Sequence, residues 1–428
     1  MANPYSNFTK MVILAYLSIL PTQSMARDLN EIIPSLYGGD GVTLEDNPFF
    51  SHSAHFAQDS LENLQELAET LSDFSQPSLS SIVGLTFEFD PILDEFVQTT
   101  STQSLGSSLT ERPQTGGKGV LTFGIAYGHT KFSELDGRDL DNLTVDLGHV
   151  DTGPNALTCL APGFPNPPPA DCYRFIDDVV RLTLNLDITQ QFISLSTNYG
   201  LTENLDVGFH LPILHTEVSV SSVGSIVNDP SIVFSPIGGN GSVHNFDPVN
   251  EDSPFSSASG SHTGLGDLFI HAKHHFYHSE KLNLGSFFQV RLPTGDEDNL
   301  QGIEDVGGKA MLLADAIFPL NKGTLTPYLN VGIEMNTSNS GQEKLAYNLG
   351  LEYDVISGKH HTSVAIDFMG RNTITNKNDS CNEKYDLGLG IKYALTERGS
   401  VYANIILPVN DSGLRPDVTY LFGVNWTK

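Results

Sequence analysis

Between Leu282 and Trp426, apolar residues occupy every second position in one strand-length segment after another. Leu284, Phe288, Val290 and Leu292 open the series. Leu325, Leu329, Val331 and Ile333 continue it, followed by Leu345, Tyr347, Leu349, Leu351 and Tyr353, and further segments end with Val418, Tyr420, Phe422, Val424 and Trp426. A period of two places these side chains on one face of a sheet and the intervening polar ones on the other. Aromatics gather near strand ends, and no helical pattern in this half of the chain is available to cover the apolar face. That combination predicts an all-β fold, a transmembrane antiparallel up-and-down β-barrel, apolar outside and polar inside.

The connections alternate in length. The short ones are 201–203, 278–281, 321–323, 357–360 and 396–399; longer ones lie at 134–177, 228–261, 294–305, 339–343, 372–383 and 410–416. Short turns on one side of a membrane and long loops on the other are the pattern of outer-membrane barrels. Counting through the turns predicts twelve strands, near 118–133, 178–200, 204–227, 262–277, 282–293, 306–320, 324–338, 344–356, 361–371, 384–395, 400–409 and 417–427. The apolar parity slips near Thr189–Gln191, which suggests a bulge; were it a true turn, the count would be fourteen.

Residues 1–26 read as a secretory signal, with Lys10, an apolar core at 11–20, Pro21 and small residues at Ser24 and Ala26. Residues 27–117 form a separate plug or periplasmic segment, and 118–428 the barrel. Within the segment, Leu61, Leu64, Leu67, Ala68, Leu71 and Phe74 share one face of a short helix over 60–74. The stretch 84–97 reads as two short strands around Asp90-Pro91. The final strand, through Tyr420, Phe422, Val424 and Trp426, resembles the aromatic assembly signal that bacterial barrels present to the barrel-assembly machinery, with Thr427 and Lys428 added.

Composition sharpens the picture. Only 17% of residues are charged and 39% are apolar, so hydropathy alone would suggest a soluble protein; a barrel strand dilutes its apolar face in the same way. The formal charge of −29 becomes −30 when Lys10 leaves with the signal. Such acidity argues against nucleic acid as a partner and suits a neighbour of cation-bridged lipopolysaccharide in the outer-membrane lipid. Cys159 and Cys172 flank a proline-rich stretch and are the candidate disulfide, leaving Cys381 as a lone thiol.

The run 262–276, containing Gly264-Leu265-Gly266-Asp267, is followed by 284–299, in which a strand ends Arg291-Leu292-Pro293-Thr294-Gly295-Asp296. Together with the strand–turn–strand unit 198–213, these runs resemble the family of outer-membrane proteins linked to the meta-cleavage pathway of phenol degradation. The resemblance spans roughly 180–428. It implies an outer-membrane barrel involved in uptake of hydrophobic or aromatic compounds, and it carries no binding residues with it.

The candidate functional residues are those whose parity turns them inward. The lumen-lining set is Asp267, His271, Lys273, Gln289, Arg291, Glu334, Glu352, Asp354, Asp367, Arg371, Asp386 and Lys392. Charges on the inner face of a small barrel need partners or water. They either tie across the lumen or line a path for solute, and cross-lumen pairing is the default. No metal site and no cofactor are expected: His271 and His275 fall on one face, His274 and His278 on the other, so four ligands cannot converge. Asp296, Glu297, Asp298, Glu304 and Asp305 read as a solvated acidic loop lacking calcium-loop spacing. No catalytic residue is expected either. The chain has one His-x-Ser, His361-Thr362-Ser363, on the polar face at the short-turn end, the wrong face and depth for deacylating outer-leaflet lipid. The expected function is a non-enzymatic outer-membrane transporter or channel for small hydrophobic or aromatic compounds. The alternative is a structural or adhesion barrel whose loops 134–177 and 228–261 bind partners.

Overall fold

The computed structural model describes residues 27–38, 41–44, 87–90, 95–98, 109–148, 179–227, 246, 254–337, 343–357, 360–374, 383–396 and 398–428. Twelve antiparallel strands form the wall. They are β1 (Leu121–Leu135), β2 (Val179–Thr202), β3 (Leu205–Val227), β4 in two pieces (Phe255–Leu265 and Leu268–His278) and β5 (Leu282–Leu292). Then follow β6 in two pieces (Gly307–Ala316 and Phe318–Leu320), β7 (Gly323–Asn336), β8 (Lys344–Ser357) and β9 (His360–Thr373). The last are β10 (Lys384–Thr396), β11 (Gly399–Pro408) and β12 (Leu414–Thr427). Each strand pairs with the next, and β12 pairs back onto β1, with Phe422 opposite Tyr127 and Trp426 opposite Phe123. Closure leaves no strand edge to face lipid.

Side-chain exposure follows the predicted parity. Phe123, Ile125, Phe288, Leu312, Leu329, Leu349, Val364, Ile391 and Phe422 stand outward, each at least 46% exposed. An aqueous protein would not leave so continuous an apolar belt uncovered; acyl chains are its natural solvent. Inside, aromatic rings lie across glycines of the adjoining strand. A Cβ on Gly350 would sit 2.2 Å from the Tyr328 ring, and one on Gly128 1.9 Å from that of Phe192, so these rungs require glycine.

The expected bulge near Thr189–Gln191 does not occur. Register runs unbroken through it, from Lys131 opposite Thr189 to His129 opposite Gln191, and from Thr189 opposite Glu217 to Gln191 opposite His215. What reverses there is the solvent. Below this rung the outer face is apolar (Tyr127, Ile193, Ile213) and the inner face carries Ser194 and Ser196. Above it the outer face carries Lys131, Asp187 and Glu217, with Lys131 Nζ 2.7 Å from Asp187, while Leu182, Leu184, Leu186, Ile188, Val218 and Val220 turn inward and are buried. The rung His129–Gln191–His215 marks where these strands leave the hydrocarbon and enter water, and the apolar set changes face accordingly.

The projecting parts of β1–β4 enclose a core of their own. The strand Leu143–Gly148, from the connection after β1, pairs with β2. Residues 27–38 form two single turns, Leu29–Glu31 and Pro34–Leu36, and together with 41–44 set Leu29, Ile32, Ile33, Leu36, Val42 and Leu44 against that core. A fully buried Leu, Ile or Val contributes roughly 1.5–3 kcal/mol, enough collectively to anchor so short a piece. Phe87–Asp90 and Glu95–Gln98, the two short strands expected around Asp90-Pro91, pair antiparallel. The predicted helix 60–74, the signal segment 1–26 and all three cysteines lie outside the described residues.

The boundary rung is testable by charge insertion. Leu312→Arg, at a 60%-exposed position within the lipid belt, should cost about 2–4 kcal/mol of barrel stability. Ser219→Arg, beyond the rung, should change it by less than about 0.5 kcal/mol. Urea unfolding in lipid vesicles measures both.

Candidate functional site in the barrel lumen

The lumen is occupied by a stretch that belongs to no strand. Residues 109–116, just ahead of β1, run along the inside of the wall toward the short-turn end, and Leu109, Thr110, Glu111, Arg112, Gln114 and Thr115 are all buried. Arg112 is the centre. Its guanidinium donates to Asp315 at 3.0 Å and to Glu352, and lies 4.9 Å over the Tyr328 ring. Gln114 donates to the same Asp315 oxygen at 2.7 Å, Asn283 donates to the other at 2.7 Å, and Ser363 donates to the second Glu352 oxygen at 2.5 Å. Desolvation alone would lower the Arg112 pKa. Asp315 and Glu352 outweigh it and hold the guanidinium above its ordinary range, so it stays charged. A planar fork between two carboxylates, each of whose oxygens accepts at least one hydrogen bond, is the arrangement in which buried charge is tolerated.

Further contacts extend the latch along the segment. Lys273 reaches Glu111 at 3.5 Å, Asn330 donates to the Glu111 carbonyl at 2.8 Å, and Thr110 donates to Asp367 at 2.9 Å. At the short-turn end, the Gly116 N–H and the Asn198 amide both donate to Asp206 at 2.8 Å. The segment is therefore held by polar contacts with the wall, supplemented by Leu109 against an apolar patch that includes Phe192 and Tyr402.

The twelve residues singled out from parity divide among three levels. Asp267 and Arg291 lie near the long-loop end, 3.6 Å apart. Gln289, Glu334, Arg371 and Asp386 stand in the middle; Glu334 is 2.8 Å from Lys309 and 3.6 Å from Arg371, and Asp386 is 2.7 Å from Arg415. His271, Lys273, Glu352, Asp354, Asp367 and Lys392 sit deeper, around residues 109–116, with His361 3.1 Å from Asp354. Cross-lumen pairing was the expectation. The closest partners of Glu352 and Asp367 include Arg112 and Thr110, which come from the inserted segment, and Tyr328.

One expectation needs correcting. A register shift between Leu284 and Gly285 places Tyr277 and then His275 opposite them, so the strand bulges at Phe276. His275 and His278 consequently meet on one side, ring centroids 5.7 Å apart, with His278 2.7 Å from Asn283. Among the described residues, no cluster of His, Cys, Asp or Glu is arranged to hold a metal. In the acidic loop Asp298 and Glu304 stand exposed and Asp296, Glu297 and Asp305 are partly exposed, while Asn299 and Leu300 are buried, Leu300 adopts φ +57°, and Asp298 accepts from the Asn30 backbone and side chain at 2.9 and 2.8 Å.

That loop accounts for the two sequence runs singled out above. Asp267, fully buried, accepts the Gly295 N–H at 3.0 Å and the Ile303 N–H at 3.2 Å. Thr294 donates to the Gly266 carbonyl at 3.0 Å and accepts from the Leu268 N–H at 2.9 Å. A Cβ on Gly295 would lie 2.3 Å from the Gln301 carbonyl, so the backbones meet too closely for any other residue. The runs Gly264–Asp267 and Arg291–Asp296 build a knot at the break in β4; their role is structural.

Between knot and latch lies a cavity. It is small, about 40 Å³, room for a few water molecules. Leu109, Phe287, Met311, Ala346 and Met369 form one side of it, and Lys309, Arg371, Lys384 and Asp386 another. Parity did not single out Lys309 because its strand also turns Met311 and Leu313 inward, which hides the alternation. Arg112 had no periodic context at all.

A closed twelve-strand wall with an apolar belt outside and ion-paired side chains within defines a transmembrane β-barrel of the bacterial outer-membrane kind. The chain belongs to the family described as "Putative MetA-pathway of phenol degradation", whose model matches residues 177–426. It is similar in structure to an outer membrane channel from Pseudomonas putida F1, at 12% identity and TM-score 0.39, covering 74% of this chain and 98% of that one. It is also similar to a FadL homologue of Pseudomonas aeruginosa, at 11% identity and TM-score 0.29, covering 72% and 90%. A third is a deletion mutant of the monoaromatic hydrocarbon channel TodX, at 8% and 0.28, covering 77% and 95%. No curated protein matches the chain in sequence.

If the knot holds loop 294–305 in place, Asp267→Ala should release it. Two buried N–H groups lose their acceptor, at about 1–3 kcal/mol each. The expected outcome is rapid cleavage within 294–305 by protease added to intact cells, with the barrel remaining folded.

Proposed function

We propose that this protein is an outer-membrane channel for small hydrophobic or amphipathic compounds, aromatic ones included, closed at rest by its N-terminal segment. The observation that carries the reading is the latch at Arg112. A barrel serving only as scaffold can fill its interior with wall side chains. Here the filling is a separate stretch of chain, attached to the wall mainly by hydrogen bonds and ion pairs that water can replace. Residues 27–117 act as the plug in this reading, exported behind a cleaved signal at 1–26. Lipopolysaccharide and the barrel-assembly machinery are its partners in the membrane.

No catalytic role is assigned. Ser363 spends its hydroxyl on Glu352 and faces the lumen with His361, away from lipid. The outward extension of β1–β4 is the feature that would serve the adhesion alternative. Deleting 228–253, which stops short of the strand that begins at Phe255, separates the two, since adhesion would be lost and permeability kept.

Arg112→Ala tests the plug. It leaves Asp315 and Glu352 buried without their guanidinium, which costs about 3–5 kcal/mol and shifts the segment toward release. Planar-bilayer conductance should rise and liposome entry of benzyl alcohol should quicken relative to wild type. Unchanged conductance, together with no aromatic or lipidic solute entering faster with or without residues 27–117, would end the channel reading.

A further inference from the structure

We propose that the outward face of the sheet formed by the projecting parts of β2, β3 and β4 is a docking surface for the oligosaccharide of the outer-leaflet glycolipid, an anionic, hydroxyl-rich sugar chain. The inference gives the lipopolysaccharide partnership proposed above a site on the protein. It rests on the barrel's place in the outer membrane and is indifferent to whether the lumen conducts.

Height selects the occupant. Acyl chains cover the apolar belt up to the rung His129–Gln191–His215, and whatever is attached to those chains lies against the wall above it. From that rung β2 and β3 stay paired for twelve residues more, to Val179 opposite Val227. That is about 40 Å along the strands, and about 30 Å in height at the tilt usual for barrels. Phospholipid headgroups add only about 5–8 Å to each side of a bilayer's hydrocarbon. Among the lipids that flank this wall, only one carrying a chain of sugars reaches the rest of it.

The chemistry of the face suits sugars. Ser219 stands outward opposite Ser259 and Ser221 opposite Ser257, with Ser261 next along β4 and Asn185 beside Ser221 on β2. The charged side chains of this face each have a partner: Arg181 donates to Asp146 at 2.6 Å, Lys131 reaches Asp187 at 2.7 Å, and Glu217 is 3.0 Å from His215. In a chain of formal charge −29, the surface offered to an anionic glycan is mostly hydroxyl. The upper piece of β4 also has a free edge. The Gly224 N–H donates to the Pro254 carbonyl and the Gly266 N–H to that of Pro212, so even-numbered residues of this piece bond to β3. Ser257, Ser259 and Ser261 therefore turn their backbone N–H and C=O groups the other way, toward no strand among the described residues. Phe255–Leu265 contains no Lys, Arg, Asp, Glu or Pro, the residues by which a water-facing edge resists pairing with other chains. Sugar hydroxyls satisfy such an edge and the serine comb together. At the far end, Phe255, 52% exposed and opposite Val223, offers a ring face to sugar C–H groups.

Saturation-transfer NMR on the detergent-solubilised full-length protein provides the test, with the water-soluble core oligosaccharide released from rough lipopolysaccharide as probe. Saturation should reach the sugar ring protons. Ser221→Glu combined with Ser259→Glu, which exchanges two hydroxyls for carboxylates, should weaken binding about tenfold. Ser221→Thr combined with Ser259→Thr keeps the hydroxyls and should keep the affinity. With the protein in phospholipid nanodiscs, intact rough lipopolysaccharide should bind about tenfold more tightly than lipid A, a preference the Glu pair removes. The substitutions lie outside the lumen, so heat-modifiable gel mobility and planar-bilayer conductance should match wild type and certify the fold. No transfer to the sugar, wild-type affinity in the Glu pair, or equal affinity for lipopolysaccharide and lipid A would each overturn the site. Concentration-dependent dimers that vanish with Ser259→Pro, without sugar binding, would assign the edge to a second copy instead. Sugar binding with no solute flux would sustain this surface and refute the channel.

Discussion

A backbone N–H or carbonyl in hydrocarbon has no water to turn to, and the arrangement of this chain follows from that constraint. Pairing β12 onto β1 removes the last free edge, and once the wall is a ring its two faces are committed to different solvents. The ring also fixes which side chains can meet. Tyr328 reaches Asp367 and lies under Arg112 because β7, β8 and β9 stand side by side, with glycine at 350 giving the ring room.

The interior follows from the ring's size. Twelve strands enclose a space that their own side chains do not fill. Residues 109–116 occupy part of it, and the charges they bring are matched to the wall individually. Arg112 between two carboxylates is held by geometry as well as attraction, since an unpartnered charge at that depth would be intolerable. Farther toward the loops lies the small cavity, its lining shared between apolar side chains and the charged Lys309, Arg371, Lys384 and Asp386. Latch and cavity are neighbours along one axis, with Leu109 touching both.

Much of this was legible in the sequence, for a physical reason. Strict alternation from Leu282 onward has one reading when both faces are committed, so strand count and closure followed. Alternation misled where the solvent changed. At Thr189–Gln191 a change of environment imitated a change of backbone, because the pattern records polarity and not geometry. Phe276 is the converse: a real bulge that left no mark, since aromatic and histidine side chains suit either face at a membrane boundary. The wall half of the site was visible at Glu352, Asp367 and Arg371. The other half was not, because Thr110, Glu111 and Arg112 lie in a non-periodic stretch whose charges look solvated until something encloses them.

The positions of residues 27–44 and 109–116 bear on the order of biogenesis. The later stretch descends the bore to meet β1 at the short-turn rim, while the earlier one rests at the far mouth beneath the loops. A finished hoop this narrow gives a polypeptide little chance to be drawn through afterwards. The simplest history is that the leading stretch is laid along the axis first and the staves are assembled around it, so that sealing the β1–β12 seam is also the act that captures it.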